Sequence, residues 1–252
     1  MSDWNAEKYL QFKAQRTQPA IDLAKRVSDH SPQKIADIGC GPGNSTKILR
    51  ETFPKASLIG IDSSETMINK AKTEYPELHF QICSAEQLSG TYDLLFSNAC
   101  LQWIPDHTGL LPLLMTKLNR GGCLAVQIPM NQNEPLFRII KEVAADSQWN
   151  FEHVSFEKND VLSPEEYYQI LSHCASQFDL WETVYYHTLP SHIHLIEWVR
   201  GTRLRPYLDV LNSTQQQQFE QALLSRVKSA YPLTQSGKVL LKFRRFFFIA
   251  YL

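Results

Sequence analysis

Five short apolar runs punctuate the first half of the chain, at 34–39, 57–62, 79–83, 92–97 and 123–128. Between them, apolar residues recur three or four apart, which predicts helices over 44–53, 64–75 and 106–118. Thr66, Met67, Ile68 and Ala71 carry that spacing, and Ser64 supplies a cap for the helix. Asn119-Arg120-Gly121-Gly122 reads as the stop of the third helix. Continuous apolar strands alternating with helices predict a parallel sheet covered on both faces. Such sheets bind ligands at the carboxyl ends of their strands. Gly39, Asp62, Ser84 to Glu86, Asn98 to Trp103 and Pro129 to Asn131 are therefore the candidate positions.

Beyond about residue 132 the pattern loosens. Helical spacing returns at 134–148, 164–174 and 213–230, with a strand at 178–187 and a very apolar last strand at 238–250. The stretch 190–235 is too long for a turn between those two strands and reads as an insertion. The expected architecture is one domain over 1–252, with a helical cover at 1–30 and a helical lid made of 132–176 and 190–235. The run Gln215-Gln216-Gln217-Gln218 is expected on a solvated helix face.

Composition narrows the function classes. With 252 residues and 43% hydrophobic content, the chain can bury one large core, or a core plus a lid. A net charge of −1 offers no basic field for nucleic acid. The five cysteines are scattered and form no C-x-x-C pair, which suits core thiols in a reducing compartment. The first residues lack the basic start and apolar stretch of a signal peptide, and no window reaches the length of a membrane span. The expectation is a cytoplasmic, monomeric enzyme acting on a small molecule.

Chemistry concentrates in Asp37-Ile38-Gly39-Cys40-Gly41-Pro42-Gly43-Asn44. It follows a strand signal and opens a helix, and glycines there let the backbone approach a ligand closely. Asp62, ending the next strand, is placed to accept the hydroxyl hydrogens of a ribose. A dinucleotide fingerprint needs a third glycine where Asn44 stands. The pattern D-x-G-x-G-x-G resembles instead the first motif of the class I methyltransferases that use S-adenosylmethionine. That resemblance implies a Rossmann-like α/β fold with a seven-stranded, mostly parallel sheet whose last two strands form an antiparallel pair.

Cations and phenols gather around the insertion: Tyr185, Tyr186, His187, His192, His194, Arg200, Arg203 and Arg205 fall within 21 residues. Such a set suits an anion with several carboxylates, because a guanidinium binds carboxylates through paired hydrogen bonds. Arg200 and Arg203 are expected to be surface charges. The three histidines have no acidic or cysteine partner nearby, so no metal is expected. In the last strand, alternation puts Leu241, Phe243, Arg245 and Phe247 on one face. A lone charge among apolar side chains needs an anion, either a bound ligand or a carboxylate of the chain.

The chain also resembles the trans-aconitate methyltransferase family along essentially its whole length. The residues that carry this are Asp3-Trp4-Asn5 with Tyr9, Phe12, Arg16 and Pro19, the glycine loop through Thr46, Gly60-Ile61-Asp62-Ser63-Ser64, and Leu101-Gln102-Trp103-Ile104-Pro105-Asp106-His107. Leu124 to Pro129, Tyr185-Tyr186-His187, Pro190-Ser191-His192, Trp198-Val199 and Leu204-Arg205-Pro206 complete it. The resemblance implies methyl esterification of one carboxylate of trans-aconitate or a related tri- or dicarboxylic acid. A carboxylate, with an ordinary pKa near 4, is already ionised at neutral pH, so no general base is expected. The cofactor-binding set implied is Tyr9, Arg16, Gly39, Cys40, Gly41, Gly43, Asp62, Ser63, Met67, Ser84, Ala85, Glu86, Asn98, Ala99 and Trp103. In that set Arg16 lies near the methionine carboxylate and Tyr9 closes over the cofactor. Ser84 stands where the family commonly carries an acid near the adenine amine, with Glu86 the possible substitute. The acceptor set is Arg205, Arg245, His187, His192 and Tyr185 or Tyr186. The alternative is another small acid, or a hydroxyl acceptor with His187 or His192 as base.

Overall fold

The computed structural model describes residues 13–153 and 161–252, the side chains of 13–16 and 153 excepted. Among them, the strands are β1 (Lys34–Ile38), β2 (Ser57–Asp62), β3 (His79–Ile82), β4 (Tyr92–Asn98), β5 (Leu118–Pro129), β6 (Gln177–Leu189) and β7 (Val239–Tyr251). They form one sheet in the order β3-β2-β1-β4-β5-β7-β6. The first five pair in parallel, and β7 runs antiparallel to β5 with Gln127 opposite Phe247 and Pro129 opposite Arg245. The helices are α1 (Lys13–Arg26), α2 (Asn44–Thr52), α3 (Glu65–Glu74), α4 (His107–Met115), α5 (Pro135–Ala144), α6 (Pro164–Cys174), α7 (His192–Arg200), α8 (Arg205–Leu208) and α9 (Ser213–Ala230).

Strand order reverses between β2-β1 and β4-β5, so β1 and β4 flank the switch point where doubly wound sheets open a ligand crevice. Ile35, Ala36, Ile38, Leu94, Leu95 and Phe96 are buried, as strands covered on both faces require. Ser64 caps α3 by accepting from the Met67 amide at 3.3 Å. One boundary differs from the sequence reading. Helix α4 stops at Met115, and Leu118 already pairs with Tyr92 in the sheet. Gly121 and Gly122 are not a helix stop. They sit inside β5 where the register against β4 shifts, and a Cβ on Gly122 would lie 3.0 Å from the Asp93 carbonyl oxygen.

The chain divides into two compact units. The first comprises Met1–Pro129, Lys158–Thr183 and Arg245–Leu252; the second, Met130–Glu157 and Val184–Arg244. In the first, Leu23 and Ala24 of α1, and Val27 just after it, are buried. Residues 164–174, expected in the lid, belong to this unit. Tyr167 of α6 stacks on Phe246 at 5.2 Å and lies 5.8 Å from Phe248, so aromatic packing ties the helix to the sheet. The second unit is built on α9, whose Phe219, Leu223 and Val227 are fully buried at helical spacing. Trp149 and Phe151 meet Phe219 edge-on at 5.1 and 5.6 Å. Two of the four consecutive glutamines work as caps. Gln215 closes a capping box with Asn212, and Gln216 donates to the Leu208 and Leu211 carbonyls. Gln217 and Gln218 face solvent.

Candidate functional site

The loop between β1 and α2 is held by buried carboxylates. Asp37 accepts from Ser45 Oγ at 2.7 Å and Thr46 Oγ1 at 2.6 Å, tying the strand to the first turn of α2. Burial pushes its carboxyl up to about 6, against the lowering effect of the two hydroxyls. Asp62 spans the loop: Oδ2 accepts the Gly41 amide and Oδ1 the Ser64 amide, each at 2.9 Å. Burial raises this carboxyl too, above the usual range. A carboxylate has about four lone-pair sites, so two remain for ribose hydroxyls.

The three loop glycines are required for different reasons. A Cβ on Gly39 would lie 2.1 Å from Cys100 Sγ. One on Gly43 would lie 2.8 Å from the Tyr75 ring and 3.0 Å from Phe80. At Gly41 a Cβ would meet nothing within 4 Å. Gly39 and Gly43 are thus fixed by packing, whereas Gly41 faces open space with its amide turned to Asp62. Burial holds the Cys40 and Cys100 thiols above the ordinary cysteine range, which leaves them protonated and unreactive.

The carboxyl ends of β3 and β4 add the rest of this region. Ala85 is buried, Ser84 half-buried, and the Glu86 side chain exposed. Asn98 Oδ1 is buried with no hydrogen-bond partner, an acceptor that suits a ligand donor. Ala99 takes a positive φ of 54° and donates its amide to the Gln127 carbonyl at 2.9 Å. Gln102 Nε2 returns to the Ala99 carbonyl at 2.7 Å, and the turn Leu101–Trp103 follows. Met67 is buried and Ser63 exposed. Open space beside Gly41, a loop-spanning carboxylate and an orphaned acceptor fit a nucleoside cofactor. Tyr9 lies outside the described residues; Arg16 is in α1, its side chain outside the description.

The expected acceptor residues are gathered less completely. In the second unit, His187 is buried and stacks on Trp198 at 4.7 Å and on Tyr185 at 6.3 Å, with Phe243 at 6.0 Å. Tyr186 alternates to the other face and is 60% exposed, so of the two phenols it is Tyr185 that joins His187. His192 Nε2 donates to the Tyr231 carbonyl at 2.7 Å. Arg205 pairs with Asp209 one turn on, at 3.5 Å. Arg203, expected on the surface, is instead drawn inward. Burial lowers its guanidinium pKa, and it lies 5.8 Å from the Phe137 ring centre. Sequence spacing held no signal for that, since Arg203 and Arg205 differ only in tertiary placement. In the first unit, Arg245 is 5% exposed and donates from Nη1 to Gln127 Oε1 at 3.4 Å. Gln127 was not among the expected residues, although its polarity inside an apolar strand marked it. Among the described residues no cluster of three or more His, Cys, Asp or Glu side chains could hold a metal, and no helix is long and apolar enough to cross a membrane.

A family model described as a methyltransferase domain matches residues 29–173. The chain is similar to a trans-aconitate 2-methyltransferase of Rhodopseudomonas palustris (strain BisB5): 42% identical over 254 residues, spanning 99% of both chains. Among solved structures, the YcgJ protein of Bacillus subtilis aligns with a TM-score of 0.59 at 14% identity, covering 93% of this chain and 98% of that one. The phosphoethanolamine N-methyltransferase 2 of Haemonchus contortus, solved with S-adenosyl-L-methionine, aligns at 0.55 and 16% identity over 92% of this chain and 52% of its own. Likeness at that distance shows the fold.

Proposed function

The chain belongs to the trans-aconitate 2-methyltransferase family, and from that premise we propose that it esterifies one carboxylate of trans-aconitate, or of a closely related tri- or dicarboxylic acid. Bound S-adenosylmethionine supplies an electrophilic methyl group on a sulfonium. One observation carries the reading: the Gly41 amide and Asp62 close an open nucleoside loop in a chain similar to such enzymes from end to end.

The chain's own residues then have two tasks. Asp62, Gly41, Asn98 and the segment to Trp103 hold the cofactor. The candidates for the spectator carboxylates are Arg205, His187 and Tyr185 in the second unit and Arg245 in the first. Reaction of an anion with a cation disperses both charges, so water exclusion favours the transition state. Alignment at about 3–3.5 Å supplies most of the remainder, and no group of the chain needs to take a proton. The reading includes a monomeric enzyme of the cytoplasm, the compartment being supported by the scattered cysteines.

A hydroxyl acceptor would need His187 or His192 as base. His192 Nε2 faces a carbonyl, which only accepts, so that nitrogen carries hydrogen and Nδ1 alone is left to act. The pH dependence of kcat/KM, measured with whichever acceptor the enzyme methylates, tests the point. A carboxylate nucleophile gives a profile flat above about pH 6; a base-dependent hydroxyl gives a limb rising through the histidine range, near pH 6.5.

A further inference from the structure

The motif Leu101-Gln102-Trp103-Ile104-Pro105-Asp106-His107 ends on a residue that the cofactor set leaves unused. His107 opens α4 and is buried, with one ring nitrogen on each of two partners. Nε2 lies 2.8 Å from the Leu101 carbonyl oxygen, and Nδ1 lies 2.6 Å from the Tyr167 hydroxyl. A carbonyl only accepts, so Nε2 bears the hydrogen; in the neutral ring Nδ1 is then an acceptor, and Tyr167 donates to it. Tyr167 is itself tightly packed. It is fully buried, stacked on Phe246, and carried on α6, whose first turn is closed by the Ser163–Glu166 capping box. Burial also keeps its phenol protonated, well above the usual tyrosine range.

What His107 grips is the segment running from the end of β4 through the turn Leu101–Trp103. That segment is under backbone strain at Ala99, at φ 54°, a conformation that persists only where neighbours enforce it. Its near end is held by the Ala99 amide on Gln127. Its far end is held at the Leu101 carbonyl, which accepts from His107 and from the Ile104 amide at 2.9 Å. Between the two ends, Cys100 fills the space beside Gly39, so a shift of the turn reaches the glycine loop directly. The geometry points to His107 as a positioning residue for cofactor binding, with Tyr167 fixing the orientation of its ring. This rests on the reading that Asn98 to Trp103 face the cofactor.

Calorimetric titration with S-adenosylmethionine, alongside steady-state KM values for both substrates, tests it on the whole chain. His107→Leu should weaken cofactor binding about tenfold, the loss of one buried hydrogen bond, while the KM for trans-aconitate at saturating cofactor stays within about twofold. His107→Gln, whose amide places a donor near the position of Nε2, should recover most of that loss. Tyr167→Phe, which keeps the ring and its stacking, should weaken cofactor binding about threefold, and it serves where the leucine variant does not fold. Folded Leu and Phe variants that bind cofactor like wild type overturn the inference. A loss in His107→Leu with no recovery in His107→Gln also overturns it, since ring volume rather than the hydrogen bond would then set the turn. Wild-type protein that does not bind S-adenosylmethionine brings down the underlying reading as well.

Discussion

The glycine loop and the acceptor cluster of the second unit differ in what fixes their residues. In the loop, each identity answers to atoms a few ångströms away: Gly39 to Cys100, Gly43 to Tyr75 and Phe80, Asp62 to the Gly41 and Ser64 amides. Backbone amides and a carboxylate close the loop, and packing from neighbouring elements leaves no room for side chains at Gly39 and Gly43. In the second unit, cations close in sequence part company. Arg205 turns to Asp209, His192 to the Tyr231 carbonyl and Tyr186 to solvent, while Arg203 goes inward and His187 stacks between Tyr185 and Trp198. The loop's identities thus follow from tight contacts around one strand end, whereas the cations and phenols of the second unit disperse among partners that spacing does not encode.

The comparison breaks most readily at Gly39. Gly39→Ala should cost about 4 kcal/mol of unfolding free energy, since its Cβ has no room beside Cys100. Gly41→Ala should cost only about 1 kcal/mol of stability, the strain of a side chain at positive φ, yet weaken cofactor binding more than Gly39→Ala weakens it per molecule still folded. Urea titrations paired with calorimetry separate the two. Equal stability losses would mean that the glycines share one reason.

Arg245→Ala should raise the KM for the acceptor acid by a factor corresponding to about 3 kcal/mol, as for a desolvated charge, and leave cofactor binding unchanged. Steady-state kinetics decide it, and a shift confined to cofactor affinity would remove Arg245 from the acceptor set.

Asp37 offers a pH test of the loop side. Its carboxyl lies at about 6 in the folded chain against 3.8 for an ordinary aspartate, so the folded state holds the proton more tightly. The stability this contributes is present below about pH 4 and is lost as pH rises through about 6, a change on the order of 2–3 kcal/mol. Asp37→Asn lacks this titration. The stability difference between the two proteins should therefore shift towards the variant between about pH 4 and pH 7, and a constant difference would show that Asp37 keeps its ordinary pKa in the folded chain.

Arg205→Ala should change stability least, by about 0.3–0.5 kcal/mol, because its pair with Asp209 is a helical one whose acid is half in solvent. An acceptor KM effect as large as that of Arg245→Ala would show the ion pair opening to the substrate, and would draw the two regions closer together in kind.

Much of the fold was legible because period alone carries it. The five parallel strands and the cap at Ser64 follow from apolar spacing and turn chemistry, and the pairing of the last two strands from the resemblance of the glycine motif. What period could not carry was context. Gly121-Gly122 has the composition of a helix stop, but the close approach of the Asp93 carbonyl makes it a bulge in β5. Residues 164–174 read as one more amphipathic helix, and only the stacking of Tyr167 on Phe246 assigns it to the sheet. In the site, Asp62 and Gly41 were readable from the motif; the inward turn of Arg203 and the Gln127–Arg245 contact were not, since both depend on which strands become neighbours.

The most direct measurement is methyl transfer from labelled S-adenosylmethionine to trans-aconitate, cis-aconitate, citrate, isocitrate and a set of hydroxylated metabolites. The account predicts an ester on trans-aconitate well above the others. Cofactor binding with no transfer to any of the acids would contradict it, leaving the nucleoside loop intact and the carboxylate acceptor wrong.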